Sequence, residues 1–196
     1  MNDATDILLN AYAHGYFPMA DSREADEVYW VEPEMRGIIP LDDFNIPRSL
    51  KKFMESCEYT ITMNAAFDDV IAACAETPRG DGKGTWINHR IEYWFLELRH
   101  KGHAHSIEVW DHNKLIGGLY GLAQGGCFCG ESMFSRATNA SKIALVHLVT
   151  HLNKQGFTLL DTQFTNDHLK QFGCIEIPQE DYLKKLERAL KEKASF

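Results

Sequence analysis

Three observations predict an α+β fold. From residue 58 onward the elements read as a strand, two helices, three strands, and then helix and strand in alternation. The three central strands, within residues 104–131, are joined by the short turns His112-Asn113 and Gly125-Gly126, which makes them one antiparallel meander. The intervening segments carry apolar residues at helical spacing and stop at glycines.

The elements follow in order. Residues 3–14 form a helix: Asp3 or Thr5 caps it, Ile7, Leu8, Ala11 and Tyr12 make its apolar stripe, and Gly15 ends it. Residues 15–40 are rich in turn formers, with short extended pieces at 28–31 and 37–39. Asn45-Ile46-Pro47 turns into a short helix through Lys51 and Phe53. Residues 59–63 alternate and form a strand. The segment 66–75 is a helix with Phe67, Val70, Ile71 and Cys74 on one face. A loop with three glycines and a proline, 77–84, precedes a helix over 88–101, stopped by Gly102. Strands over 104–110, 114–123 and 127–131 are followed by a helix over 139–155, stopped by Gly156. A strand over 158–161, a short helix over 166–172, a strand over 174–177 and a charged amphipathic helix over 179–193 complete the chain. This divides the chain into a small N-terminal α+β portion, 1–57, and a larger domain, 58–196.

With 196 residues, 44% hydrophobic and 24% charged, the composition excludes a disordered, fibrous or collagen-like chain. The longest uncharged stretch, 115–130, holds six glycines and Gln124, too polar and too short for a membrane span. The acidic start MNDATD is not a secretory signal, and five cysteines at irregular spacing suit reduced thiols in the cytoplasm. The net charge of −8 is uneven. Residues 1–35 hold eight acids and one base (Arg23), so the body is nearly neutral and leaves room for a local nucleic-acid contact.

The order of elements from residue 58 is that of the GNAT-type acyltransferase fold, an analogy that does not fix function. A CoA-dependent member needs a glycine-containing turn before the helix that follows the meander, where backbone N–H groups hold the pyrophosphate. Here that junction reads ESMFSRATN over 131–139 and has no glycine, so a different acyl donor is expected.

At this junction the chain resembles the leucyl/phenylalanyl-tRNA–protein transferase family. The matching stretches are AHSIEVW (104–110), GGLYG (117–121), FCGESMFSRATNASK (128–142), LLDTQFTNDHL (159–169) and FGCIEIPQEDYL (172–183). Upstream, DILLNAYAHGYFPM (6–19), WVEPEMRG (30–37) and GTWI (84–87) also match, so the resemblance covers nearly the whole chain. It implies a cytoplasmic enzyme with a GNAT-like domain. Such an enzyme moves leucine or phenylalanine, and methionine less well, from aminoacyl-tRNA to the N-terminal arginine or lysine of a protein, which then enters N-degron proteolysis. It uses neither metal nor CoA. A monomer without membrane attachment is expected. Two departures stand out: Trp30 is a single indole where many members have two, and GDGK (80–83) lengthens the loop before Gly84.

The residues read as follows. Aminolysis of an activated ester requires a held amine, a proton acceptor and oxyanion stabilisation. Asp161 and Gln163 lie two apart on a strand and so share a face. An anionic Asp161 that accepts a hydrogen bond from Gln163 polarises the Gln163 carbonyl, whose oxygen then takes the amine N–H; the plainer reading is a strand-end cap, and the resemblance favours catalysis. Glu131, at the end of the third meander strand, orients the amino group of the aminoacyl moiety or is an exposed strand end. Asn166 aims a donor at the oxyanion or caps a helix. Leu119, Phe128, Met133, Leu145 and Leu160 are the positions to which the resemblance assigns the apolar aminoacyl pocket, ordinary core being the alternative. Trp86 and Trp30 stack on the tRNA 3′ end or anchor the core. Arg36, Arg48, Lys51, Lys52, Arg79, Lys83 and Arg90 are candidate contacts to the acceptor stem. Cys127-x-Cys129 lacks a zinc-site pattern; His103/His105, alternating on a strand, and His147/His151, at i,i+4 on a helix, have spacing compatible with a metal, surface or core histidines being the plainer reading. The competing functions are a CoA-dependent N-acetyltransferase and a non-catalytic RNA- or degron-binding module.

Overall fold

The computed structural model describes residues 4–77 and 84–196. The predicted Asp3 cap and most of the glycine loop, including Arg79, Lys83 and GDGK, lie outside them. The elements in order are α1 (Ala4–Ala13), β1 (Phe17–Met19), β2 (Tyr29–Val31), β3 (Met35–Ile39), α2 (Arg48–Ser56), β4 (Thr60–Met63), α3 (Phe67–Glu76) and α4 (His89–His100). These are followed by β5 (Ala104–Asp111), β6 (Lys114–Gln124), β7 (Cys127–Ser135), α5 (Ala140–Lys154), β8 (Leu159–Gln163), α6 (Asp167–Lys170), β9 (Ile175–Pro178) and α7 (Gln179–Ala189).

Seven strands form one sheet in the order β4-β5-β6-β7-β8-β3-β9, and β1 pairs with β2 in a separate ribbon. The predicted meander is present: β5, β6 and β7 are antiparallel neighbours. Its turns place His112 and Gly125 in the left-handed region. Between β7 and β8 the chain crosses over through α5, and these two strands are parallel. The sheet separates two apolar cores. Tyr12 of α1, Val70 of α3, Phe95 of α4 and Tyr182 of α7 pack on one face. Leu50 of α2, Leu148 of α5 and Leu169 of α6 pack on the other. Leu119 and Tyr120, adjacent on β6, point into opposite cores, as the strand period of two requires.

Three differences from the sequence reading shape the site. The third meander strand runs to Ser135, because β6 continues to pair with it through Gly117; Glu131 therefore lies within a strand and not at its end. Strand β3 is inserted between β8 and β9, antiparallel to both. Strand β1 is short and contains Pro18, which hides it in the sequence; a two-stranded ribbon has only edges, where a missing N–H is tolerated.

β7 and β8 pair only from Cys127↔Leu159 to Cys129↔Asp161. Beyond that point Gln163 lies opposite Gly37 of β3, while β7 stays with β6. The two strands part, and a wedge opens between them.

Gly37 sits at the register shift of β3 against β8. A Cβ there would lie 2.7 Å from the Phe164 carbonyl carbon and 2.9 Å from Thr165 N, both backbone atoms that cannot swing aside. Gly37→Ala is expected to destabilise the protein by about 1–3 kcal/mol, the range for overpacking, measured by urea unfolding.

Candidate active site

The wedge holds a cavity of about 580 Å3. β7 contributes Glu131 and Met133, β8 contributes Leu160, Thr162 and Gln163, and α5 contributes Ser141, Leu145 and Leu148. Of the predicted pocket residues, Leu119, Met133, Leu145 and Leu160 line this cavity, as does Trp86. Phe128 does not. It is fully buried in the same core as Leu119, Leu145 and Leu160, with its ring 5.4 Å from that of Phe196 and away from the cavity wall. Trp30 does not either: it stacks on Trp94 at 6.4 Å and borders a second groove with Ile7, Asn10, Ala11, His14 and Tyr16. Sequence reasoning missed Phe17 and Met19, which line the main cavity from the unrecognised strand β1. Ala20 N donates to the Trp86 carbonyl at 3.1 Å and ties that ribbon to the tryptophan.

Asp161 and Gln163 do come together, but through the Gln163 backbone and not the side-chain amide, because stronger donors claim Asp161. Arg36 donates to it through a bidentate fork, Nε to Oδ1 at 2.8 Å and Nη2 to Oδ2 at 2.7 Å. Tyr182 Oη donates to Oδ2 at 3.0 Å, and the backbone N–H of Gln163 donates to Oδ1 at 2.9 Å. Arg36 is thus no tRNA contact. It is completely buried, donates to the Gly15 carbonyl at 2.8 Å, and has its guanidinium over the rings of Phe17 and Tyr182 at 4.8 and 4.4 Å. Burial opposes its charge, yet Asp161 more than offsets this and raises the Arg36 pKa. Among the other candidate bases, Arg48, Lys51, Lys52 and Arg90 are exposed.

The side-chain amide of Gln163 turns instead to Glu131: Nε2 donates to Oε1 at 3.0 Å. Gln163 is in the left-handed region, with φ +55, which is rare outside glycine, asparagine and aspartate. Glu131 is buried, and burial raises its pKa to about 8. The facing Tyr12 hydroxyl lowers it part of the way, while the contributions of Asp161 and Arg36 oppose each other. Neither Glu131 Oε2 nor Tyr12 Oη has a well-formed hydrogen-bond partner among the described residues. Asn166 lines the cavity, but its side chain accepts from Leu169 N at 2.9 Å and caps α6. His168 also lines the cavity; burial, and then Lys142, lower its pKa.

A meander, a crossover helix and a cavity between parting parallel strands are the architecture of the GNAT-like fold class. The structural relatives agree: the chain matches FemX with a TM-score of 0.54 over 94% of this chain and 71% of that one, at 12% identity. It matches L-PGS from Bacillus licheniformis with a TM-score of 0.50 over 95% and 70%, also at 12% identity. In sequence it is 53% identical to a leucyl/phenylalanyl-tRNA–protein transferase of Paramagnetospirillum magneticum, over 97% of this chain and 91% of the relative. It is 53% identical to one of Rhizorhabdus wittichii, over 94% and 74%. The models of the leucyl/phenylalanyl-tRNA protein transferase family and of its N-terminal domain match residues 38–187 and 4–34. The chain belongs to this family. It is an aminoacyltransferase, acting from tRNA onto protein.

The raised Glu131 pKa has a measurable cost. Between pH 4.5 and 8 the unfolded chain ionises this group while the folded chain keeps it protonated, so stability falls as pH rises through that window. His105, lowered to about 4 by burial, acts in the opposite sense, but only below its ordinary 6.5. From pH 6.5 to 8 the wild type is therefore expected to lose on the order of 1 kcal/mol per pH unit relative to Glu131→Gln, in urea unfolding at stepped pH.

Proposed function

We propose that the chain transfers leucine or phenylalanine, and methionine less well, from aminoacyl-tRNA to the N-terminal arginine or lysine of acceptor proteins. The product is marked for N-degron proteolysis, and the enzyme works as a cytoplasmic monomer without metal or CoA. The observation that carries this reading is the Glu131–Gln163 pair, hydrogen-bonded at the wall of an apolar cavity that also reaches Trp86.

In this reading the donor side chain occupies the space bounded by Leu119, Met133, Leu145 and Leu160, where a methionine adapts to both branched and aromatic groups. The terminal adenosine lies against Trp86. Glu131 orients the amino group of the aminoacyl moiety through Oε2. The Gln163 carbonyl accepts an N–H of the acceptor α-amine, whose lone pair attacks the ester carbonyl. A peptide bond forms, the ester C–O bond breaks, and the amine proton ends on the released ribose hydroxyl. An α-amine with a pKa of about 7.7–8.0 is already partly neutral, so a weak acceptor is enough. Asp161 touches neither substrate in this scheme; it holds Gln163.

Against a CoA-dependent acetyltransferase stands the start of α5. Ala140 N donates to the Ala137 carbonyl at 3.2 Å and Ser141 N to Ser135 Oγ at 3.3 Å. Donors that a pyrophosphate would need are already engaged. A pure binding module has no use for a buried acid bonded to an amide in a strained turn.

The test is transfer of labelled leucine from leucyl-tRNA to a peptide starting with arginine, without CoA. Gln163→Ala is expected to lower turnover by about 10²–10⁴-fold while donor binding persists. Donor binding should weaken steeply with salt, as released counterions demand. Transfer only with acetyl-CoA, or donor binding indifferent to salt, contradicts the reading.

A further inference from the structure

We propose that Arg36 is a positioning residue for the transfer: through Asp161 it holds the Gln163 backbone in the turn that keeps the Gln163 amide on Glu131. This rests on the functional reading above for what Gln163 does. The contacts form an unbroken series. Gly15 O and the rings of Phe17 and Tyr182 fix the guanidinium. Its fork fixes both oxygens of Asp161. Asp161 Oδ1 then accepts the N–H of Gln163, and Gln163 reaches Glu131.

Two features set this apart from an ion pair that merely fills the interior. First, Asp161 is wholly buried and is not among the cavity-lining residues, so its contacts run to Arg36, Tyr182 and the Gln163 backbone. Second, the series ends on a residue with φ +55. A non-glycine residue persists in such a conformation only when its surroundings over-determine it. A left-handed Gln163 released from Asp161 is free to relax toward the ordinary β region, and that rotation carries its amide away from Glu131.

The experiment compares kcat per folded molecule in Arg36→Lys and wild type. Lysine keeps the charge but cannot hold both carboxylate oxygens in a planar fork. We expect kcat to fall about 10²-fold, the effect of a shift near 1 Å in a reacting group, with aminoacyl-tRNA affinity and the acceptor KM unchanged. In a Gln163→Ala background the same substitution should cost nothing further, because the two residues act as one unit. Wild-type kcat in Arg36→Lys, or losses that multiply in the double variant, overturn the proposal. Should Arg36→Lys fail to fold, Tyr182→Phe decides, since it keeps the ion pair and deletes one bond to Asp161. A kcat about 10-fold lower supports the proposal and an unchanged kcat overturns it. A chain that transfers nothing from charged tRNA defeats the functional reading alone. The positioning role is then read from the side-chain amide NMR signal of Gln163, assigned by its loss in Gln163→Ala. That signal must shift in the Arg36 or Tyr182 variant if the role is real and stay in place if it is not.

Discussion

The buried ion pair between Arg36 and Asp161 brings together segments that lie far apart in the chain. Its two partners are separated by 125 residues. Arg36 lies on β3, Asp161 on β8, Gly15 at the end of α1, and Tyr182 on α7. Taking both charges from water is costly, so the net contribution of such a pair to stability is small, whereas losing one partner leaves an unpaired buried charge and costs about 3–5 kcal/mol. What the pair enforces is arrangement. With the two charges paired and their remaining bonds supplied by Gly15, Tyr182 and the Gln163 backbone, β3 sits beside β8, and α1 and α7 close over them. The wedge between β7 and β8 exists because β8 turns away from β7 toward β3.

The acid in this wedge works in a balanced field. Arg36 and Asp161 act on Glu131 with opposite sign, so burial is left as the main influence and holds the carboxyl near 8. At neutral pH the empty site is therefore mostly uncharged at Glu131, which suits an apolar cavity. A cationic amine brought within about 4–6 Å favours the carboxylate form. In the proposed reaction, amine binding beside Glu131 is thus linked to loss of its proton.

The sequence displayed most of this to simple rules. Periodicity and turn residues locate the described helices and all described strands but β1, because those elements carry a clear apolar pattern or sit between turn residues. Alternation put Asp161 and Gln163 on one face, and the resemblance drew attention to Glu131. The partners of these residues were not legible. Arg36 reads as one more basic residue near a turn; nothing local signals that its charge is cancelled by a residue of β8. Tyr12 reads as part of an apolar stripe, since only the fold shows Glu131 opposite its hydroxyl. Phe128 shares the core of Leu119, Leu145 and Leu160, but its ring is taken up by Phe196 and does not reach the cavity wall. Asn166 was ambiguous between cap and oxyanion donor, and its side chain is spent on the cap.

The insertion of β3 between β8 and β9 also governs how the molecule is made. β3 is synthesised early, yet its neighbours in the sheet come from residues 159–163 and 175–178. At ~5–20 residues per second, the strand waits roughly 6–25 s before Asp161 has even been polymerised. During that interval Arg36 lacks Asp161, and the edges of β3 lack their eventual partners. The meander, whose contacts are local, ends at Ser135 and so is synthesised before Asp161. The last step of assembly is therefore a long-range closure in which a strand from near the start of the chain docks between two from near its end, the kind of pairing that slows folding. A chain that stops short of β8 has no Asp161, no turn at Gln163 and no wedge, so a working site requires synthesis through β8 and its neighbours.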